Sequence, residues 1–153
     1  MNICWLYLDK KGATISAIKD YDNMQYILDH TEENIREKRQ AMESLGAVNM
    51  DGMPKAHNVR AGEDKIIDAV DEIDAMKERY RQAQEYMAWF KPAWEHLTED
   101  ERYVLETFYH KGDQYGSYSA DEVAEKIHID KRTAFRRKNS ALKKMSTLLF
   151  GIV

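Results

Sequence analysis

Ile66, Ala69, Ile73, Met76, Tyr80, Ala83, Met87 and Phe90 recur alternately three and four residues apart, over nearly four heptads. Among regular backbones, the α-helix brings that spacing onto one line. The pattern predicts a helix over 63–91, interrupted at Pro92, which has no N–H for the helical ladder. A stripe so long and narrow needs a second helix to cover it. One is available: Tyr21, Leu28, Ile35 and Met42 recur at steps of seven, with Ile18, Met24 and Leu45 beside them. Gln25, Glu32 and Arg39 thin this stripe, so it reads as an amphipathic helix from about Ala13 to Leu45. Between the two lies 46–62, GAVNMDGMPKAHNVRAG, with three Gly and one Pro. It reads as a loop, longer than the usual helix–helix connection, and hence functional or mobile.

Two long striped helices joined by a loop predict an antiparallel helical hairpin. The alternative is a coiled coil whose seam pairs with a second copy. The matching stripe on the first helix favours pairing within the chain, and a homodimer through the same helices stays open. Upstream, Ile3, Cys4, Trp5, Leu6, Tyr7 and Leu8 form an apolar run without a clean period. Such a run fits a buried strand and a piece of buried helix equally well. Lys10-Lys11-Gly12 then reads as a turn.

A chain of 153 residues holds one ordinary domain or two very small ones. Seven Gly and two Pro are too few turn-makers for a many-stranded sandwich or barrel. The single cysteine, Cys4, excludes an intramolecular disulfide and a cysteine-based zinc site, and points to a reducing compartment. No apolar run is long enough to cross a bilayer, so no membrane association is expected. The start, MNICWLYLDKK, lacks the basic region and small-residue cleavage site of a secretion signal. The expectation is a cytoplasmic protein.

Net charge is −4, which by itself argues against nucleic acid as a partner. Its distribution reverses that reading. Within 126–144, eight cations (Lys126, Lys131, Arg132, Arg136, Arg137, Lys138, Lys143 and Lys144) face only Asp130. Residues 1–125 carry fifteen cations against twenty-six acids. An acidic body with a basic C-terminal segment can hold an anion locally and keep the rest away from it.

The segment 97–150 reads as a separate helical module. Thr98-Glu-Asp-Glu101 is a capping box, so a helix starts near Glu99, with Val104, Leu105 and Phe108 as its buried face. His110 to Tyr118 is a polar loop. Ser119-Ala-Asp-Glu122 is a second capping box, opening a short helix to about His128 with Val123, Ala124 and Ile127 inward. Asp130 caps a last helix from Lys131 to about Leu149. At about 100° per residue, Ala141, Leu142, Met145 and Leu148 share the face of Ala134. Arg132, Arg136, Asn139, Ser140 and Lys143 lie opposite, with Thr133 on the edge. The expected class is therefore all-α: an N-terminal helical hairpin in 1–92, then a helix-turn-helix module in 93–153.

A recognition helix enters the major groove of double-stranded DNA with its first turns against base edges. Arg132 and Arg136, one turn apart, are placed to donate paired bonds to guanine O6 and N7. Thr133 is placed for a thymine methyl, and Lys131 for a base or a phosphate. Arg137, Lys138, Ser140, Lys143 and Lys144 suit phosphates, which position a protein without reading sequence. Arg137 and Lys138 lie nearer the buried side and would have to snorkel outward. Phe135 flanks the stripe, and core packing is its expected role.

Three stretches carry a resemblance: Leu97-Thr-Glu-Asp-Glu-Arg-Tyr-Val-Leu-Glu-Thr-Phe-Tyr109, Ala120-Asp-Glu-Val-Ala-Glu-Lys-Ile127, and Arg132-Thr-Ala-Phe-Arg-Arg-Lys-Asn-Ser-Ala-Leu-Lys-Lys-Met145. Together they resemble region 4 of bacterial sigma factors. More closely, they resemble the small phage- and prophage-encoded regulators of the ArpU and RinA type. Met50-Asp-Gly-Met-Pro54 and Glu63-Asp-Lys-Ile-Ile-Asp-Ala-Val70 are similar to the same regulators, so the likeness covers about 46–150. It implies a sigma region 4-like helix-turn-helix in a regulator of phage late or packaging genes, working at the host nucleoid. Its implied readers of the promoter −35 element are Lys131, Arg132, Phe135 and Arg136. Phe135 stands where sigma factors often carry a cation. Nothing resembles the sigma region that melts the −10 element, so a complete sigma factor is not expected.

No catalytic constellation is visible: no Gly-rich phosphate loop, no GxSxG and no HExxH. An enzyme, a cofactor or a metal is not expected. His30, His57, His96, His110 and His128 lie far apart and read as surface or capping residues. Cys4 has no activating neighbour. Trp89, Phe90 and Trp94 read as packing at the junction of the two parts, and Met50 and Met53 as a partner site or a connector. Two functions remain. One is a DNA-binding regulator whose hairpin contacts RNA polymerase or a second copy. The other is a helical adaptor whose basic helix docks on an acidic partner such as a polymerase subunit.

Overall fold

A computed structural model describes residues 8–47, 59–110 and 116–151. These form five α-helices and, among the described residues, no strand: α1 Lys10–Ala47, α2 Val59–Glu95, α3 Glu99–His110, α4 Ser117–Ile127 and α5 Lys131–Phe150. The chain is all-α, and no described helix is long and apolar enough to cross a membrane. The apolar run from Ile3 to Tyr7, with Cys4, and the residues Met50, Met53 and His57 lie outside the described residues.

Lys10-Lys11-Gly12, expected as a turn, is the first turn of α1. Asp9 makes it so: its carboxylate accepts from Gly12 N–H at 3.0 Å, and its carbonyl from Ala13 N–H at 2.9 Å. A side-chain cap outweighs the low helix propensity of one glycine. Pro92 does not end α2, which runs three residues further. Its ring lies on the exposed side. Losing one ladder bond there costs about 3 kcal/mol, offset by burial of Phe90 and Trp94 on the opposite side.

By contacts the described chain forms two compact units, which do not divide at Pro92. Residues up to Asp22 group with those from Met87 onward, and Asn23–Tyr86 forms the other unit. In the first unit, α5 packs on both α3 and α4, and those two on each other. Val104, Phe108, Ala120, Val123 and Ala134 make its centre, walled by Tyr103, Ile127, Ile129 and Phe135. The start of α1 adds Thr14, Ala17 and Ile18, all buried. Tyr21 lies 5.6 Å from Phe90 and 6.4 Å from Trp94, ring centre to ring centre, and Phe90 stacks on Trp94 at 5.5 Å. Trp89 donates to Leu149 O at 3.3 Å and meets the Phe150 ring edge-on. In the second unit, Ile73, Ala83 and Thr31 are buried, Lys38 pairs with Glu72, and Arg81 pairs with Glu78 and Glu85.

Capping sets the borders of the smaller helices. Thr98 N–H donates to Glu101 Oε2 at 2.8 Å, and Glu101 N–H to Thr98 Oγ1 at 3.3 Å, the reciprocal box expected for α3. The second box does not form at Ser119. That residue is buried in the first turn of α4, and the cap is Gly116, at φ 68°. A Cβ on Gly116 would meet the Phe108 ring at 3.1 Å, so glycine suits both the left-handed backbone and the close approach. α4 stops at His128, which is itself left-handed (φ 58°) and donates its N–H to Ala124 O. Ile129 N–H donates to the same carbonyl at 3.0 Å.

Candidate nucleic-acid interface

Asp130 starts α5. Its carboxylate accepts from Thr133 N–H at 3.0 Å and from the Thr133 hydroxyl. These two bonds, the hydroxyl's first, hold the Asp130 carboxyl below its ordinary value. The Thr133 hydroxyl is therefore occupied in the cap, and only its methyl is available for an apolar contact.

The buried face of α5 comprises Ala134, Ala141, Leu142, Met145, Ser146 and Leu149. Leu148, expected inward, is 40% exposed. The inward face is rotated toward Leu142 and Leu149, because α5 must satisfy α3 and α4 together. Lys138, which the wheel already puts nearer the buried side, lies inward as well. Its ammonium lies 5.1 Å from the Phe108 ring centre and 5.2 Å from that of Phe135. Burial, with a smaller contribution from the charge of Lys11, pushes the Lys138 ammonium below the usual lysine value. This geometry holds the ammonium against aromatic faces, not outward as a phosphate contact requires. Phe135 packs on Phe108 at 5.6 Å, so its ring is a core wall, as expected.

Three more candidates are tied to neighbouring helices. Lys131 donates to Ser117 Oγ at 2.9 Å and Asp121 Oδ2 at 3.0 Å, linking the starts of α4 and α5. Arg137 reaches Asp100 at 3.8 Å. Lys144 donates to Glu101 Oε2 at 2.8 Å. Partial burial pushes the Glu101 carboxyl up, but the Lys144 ammonium and Thr98 pull it further down, so the net shift is downward.

Arg132, Arg136, Ser140 and Lys143 remain. All four side chains are exposed, and no hydrogen bond or ion pair engages them among the described residues. Steps of four, four and three along α5 bring them to one face. At about 1.5 Å per residue the stripe from Arg132 to Lys143 runs about 16 Å. The arrangement offers two guanidiniums, a hydroxyl and an ammonium along one exposed line.

Counting charges in the sequence overstated the available positive charge, because Asp100, Glu101 and Asp121 lie outside the basic segment but fold onto its edges. The three acids in the first turn of α3 were the visible signal. Lys126 lies over the Tyr103 ring at 4.9 Å, on the α3 side. Two histidines have placements that spacing did not reveal. His110 bonds Ile18 O through Nε2 at 3.0 Å, with Nδ1 3.5 Å from Asp22. His96 lines a surface depression with Ser140, Lys143 and Thr147. Comparison with family models, curated proteins and solved structures finds no match for this chain.

Proposed function

We propose that this chain is a sequence-specific DNA-binding transcription regulator that reads promoter or operator DNA with α5 in the major groove. The observation that supports it is selective: Arg132, Arg136 and Lys143 share one exposed line with no carboxylate partner among the described residues, while Lys131, Arg137 and Lys144 beside them are each paired. Cations left unpaired at a cost in self-repulsion suit an anionic partner. The stripe exceeds the roughly 12 Å width of the major groove, so Arg132 and Arg136 suit base edges and Lys143 a flanking phosphate.

In this reading α4, the turn at His128-Ile129-Asp130 and α5 are a sigma region 4-like helix-turn-helix. The two long helices are an antiparallel hairpin that contacts RNA polymerase or a second copy. The resemblance to phage and prophage regulators of the ArpU and RinA type makes phage late or packaging genes the proposed targets, in the cytoplasm at the host nucleoid.

The test is selection of bound duplexes from a randomised pool, followed by gel-shift titration at several salt concentrations. A regulator yields an enriched motif, and affinity that falls steeply with salt as phosphate contacts release counterions. Lys143→Ala should weaken binding to all sequences alike and flatten the salt slope by about one unit. No enriched motif and no salt-dependent duplex binding would overturn the reading in favour of a protein-docking adaptor.

A further inference from the structure

Beside the C-terminal half of α5 lies a shallow depression of about 460 Å³, lined by His96, Ser140, Lys143, Lys144, Thr147 and Leu148. Its chemistry is one-sided. An imidazole, two hydroxyls, two ammoniums and the Leu148 side chain surround it, and no carboxylate lines it among the described residues. By contrast, the depression on the α3 flank of the same helix is lined by both Asp100 and Glu101 together with Arg137. The groove in the second unit carries Asp68 and Glu72 with Lys38 and Lys65. Depressions of mixed sign satisfy themselves. One whose charged lining is cationic only suits an anion.

The two ammoniums are not equivalent. Lys144 is already paired with Glu101, whereas Lys143 meets no carboxylate among the described residues. The Thr147 hydroxyl donates to Lys143 O at 3.0 Å, so its proton is in use. That leaves the Lys143 ammonium, the exposed Ser140 hydroxyl and a ring N–H of His96 as donors. His96 comes from a different element. It follows the last turn of α2, where its N–H donates to Pro92 O at 3.2 Å, with Leu97 buried next to it. The end of α2 is held to the end of α5 by the bond from Trp89 to Leu149 O. Arg136, Ser140, Lys143 and Thr147 follow one another at steps of four, three and four, so the depression continues the unpaired stripe.

We infer that this depression binds one phosphate of the DNA backbone at the edge of the groove that α5 enters, with His96, Ser140 and Lys143 as its donors. The inference rests on the DNA-binding reading above and adds a contact from outside the helix-turn-helix. A phosphodiester has two unbridged oxygens that accept several bonds, and donors from two elements fix its position better than one helix alone. The pair His96 and Lys143 thereby sets how far α5 slides along the groove.

The experiment measures affinity of the full chain for its selected duplex and for duplexes in which single flanking phosphates are replaced, one at a time, by uncharged methylphosphonates. His96→Ala should weaken binding to the unmodified duplex by about two- to tenfold, the range for one lost hydrogen bond. At one methylphosphonate position the unaltered protein should lose affinity, and His96→Ala and Lys143→Ala should each lose little more. His96→Gln, which keeps an N–H donor, should recover part of the loss. His96 is exposed, so unchanged helicity and tryptophan fluorescence should accompany these effects. If the unaltered protein binds but His96→Ala binds equally well, or its penalty persists at every modified position, the phosphate site is wrong and the DNA-binding reading stands. If the unaltered protein binds no duplex, both fall.

Discussion

The outward face of α5 and its α3 flank carry the same residue types and have different chemistry. On the flank, Arg137 and Lys144 meet Asp100 and Glu101. On the outward face, Arg132, Arg136 and Lys143 meet no carboxylate among the described residues. Available charge is thus a property of the fold, not of a count. The first turn of α3 does two jobs. Its acids favour the positive end of that helix, and two of them cancel the cations that face it across the α3–α5 junction. Exposed pairs of this kind stabilise by only about 0–1 kcal/mol. Their larger consequence is to give the charged surface an edge.

Two distinct faces require a helix that cannot roll. Leu142 and Met145 are both essentially inaccessible to solvent and hold it. Leu142→Ala should therefore have the largest effect, destabilising the chain by about 2–5 kcal/mol in urea unfolding. It should erase the distinction between the faces together with duplex binding. A loss below about 1 kcal/mol would mean the helix is not clamped where Leu142 sits. Next in size is the contrast between two adjacent arginines. Arg136→Ala should cost about 1–3 kcal/mol of specific affinity and relax discrimination at one base pair. Arg137→Ala should leave discrimination intact. Equal loss of discrimination in both variants would break the comparison. Neither substitution should move stability by more than about 0.5 kcal/mol, the usual range at exposed sites.

Much of the fold was legible because it follows from local pattern. The 3–4 spacing in 66–90, the Thr98 box and the Asp130 cap are all short-range signals, and each marks a helix that forms. Local signals mislead where distant contacts compete with them. Pro92 reads as a stop, but the buried aromatics around it carry α2 onward. Ser119 has the spacing of a cap, yet the approach of Gly116 to Phe108 places the cap of α4 three residues earlier. In the candidate interface, the helical wheel picked out Arg132, Arg136 and Lys143 as outward, and exposed they are. It put Lys138 nearer the buried side, but not over the two phenylalanine rings. The pairing of Lys131, Arg137 and Lys144 depends on which carboxylates α3 and α4 bring across the junction. That information is tertiary, and no period along one helix contains it.

A smaller effect sharpens the same contrast. Glu101→Gln keeps a side chain able to complete the capping box but removes the charge that neutralises Lys144. A flank released in this way should behave like the outward face, and the salt slope of duplex binding should steepen by about one unit. An unchanged slope would show that Lys144 stays out of reach of the duplex even when unpaired.

Acid titration of stability gives the finest distinction. The carboxyls of Glu101 and Asp130 are both lowered in the folded chain, Glu101 chiefly by Lys144 against the opposing pull of burial, Asp130 by Thr133. A lowered folded pKa means that the ionised form favours folding. The contribution is complete above the ordinary carboxylate range, and is lost as pH falls through the lowered folded values. Urea midpoints taken from neutral pH downward should therefore hold steady, then decline below that range. The unaltered protein and Glu101→Gln should differ at neutral pH and converge in acid, because a protonated Glu101 offers Lys144 no more charge than a glutamine does. Asp130→Asn, which keeps a capping oxygen, should likewise converge with the unaltered chain in acid. A gap between the unaltered protein and Glu101→Gln that persists undiminished at the acid end would mean that the Glu101 charge is not what the flank contributes, and the electrostatic edge of α5 would have to be drawn elsewhere.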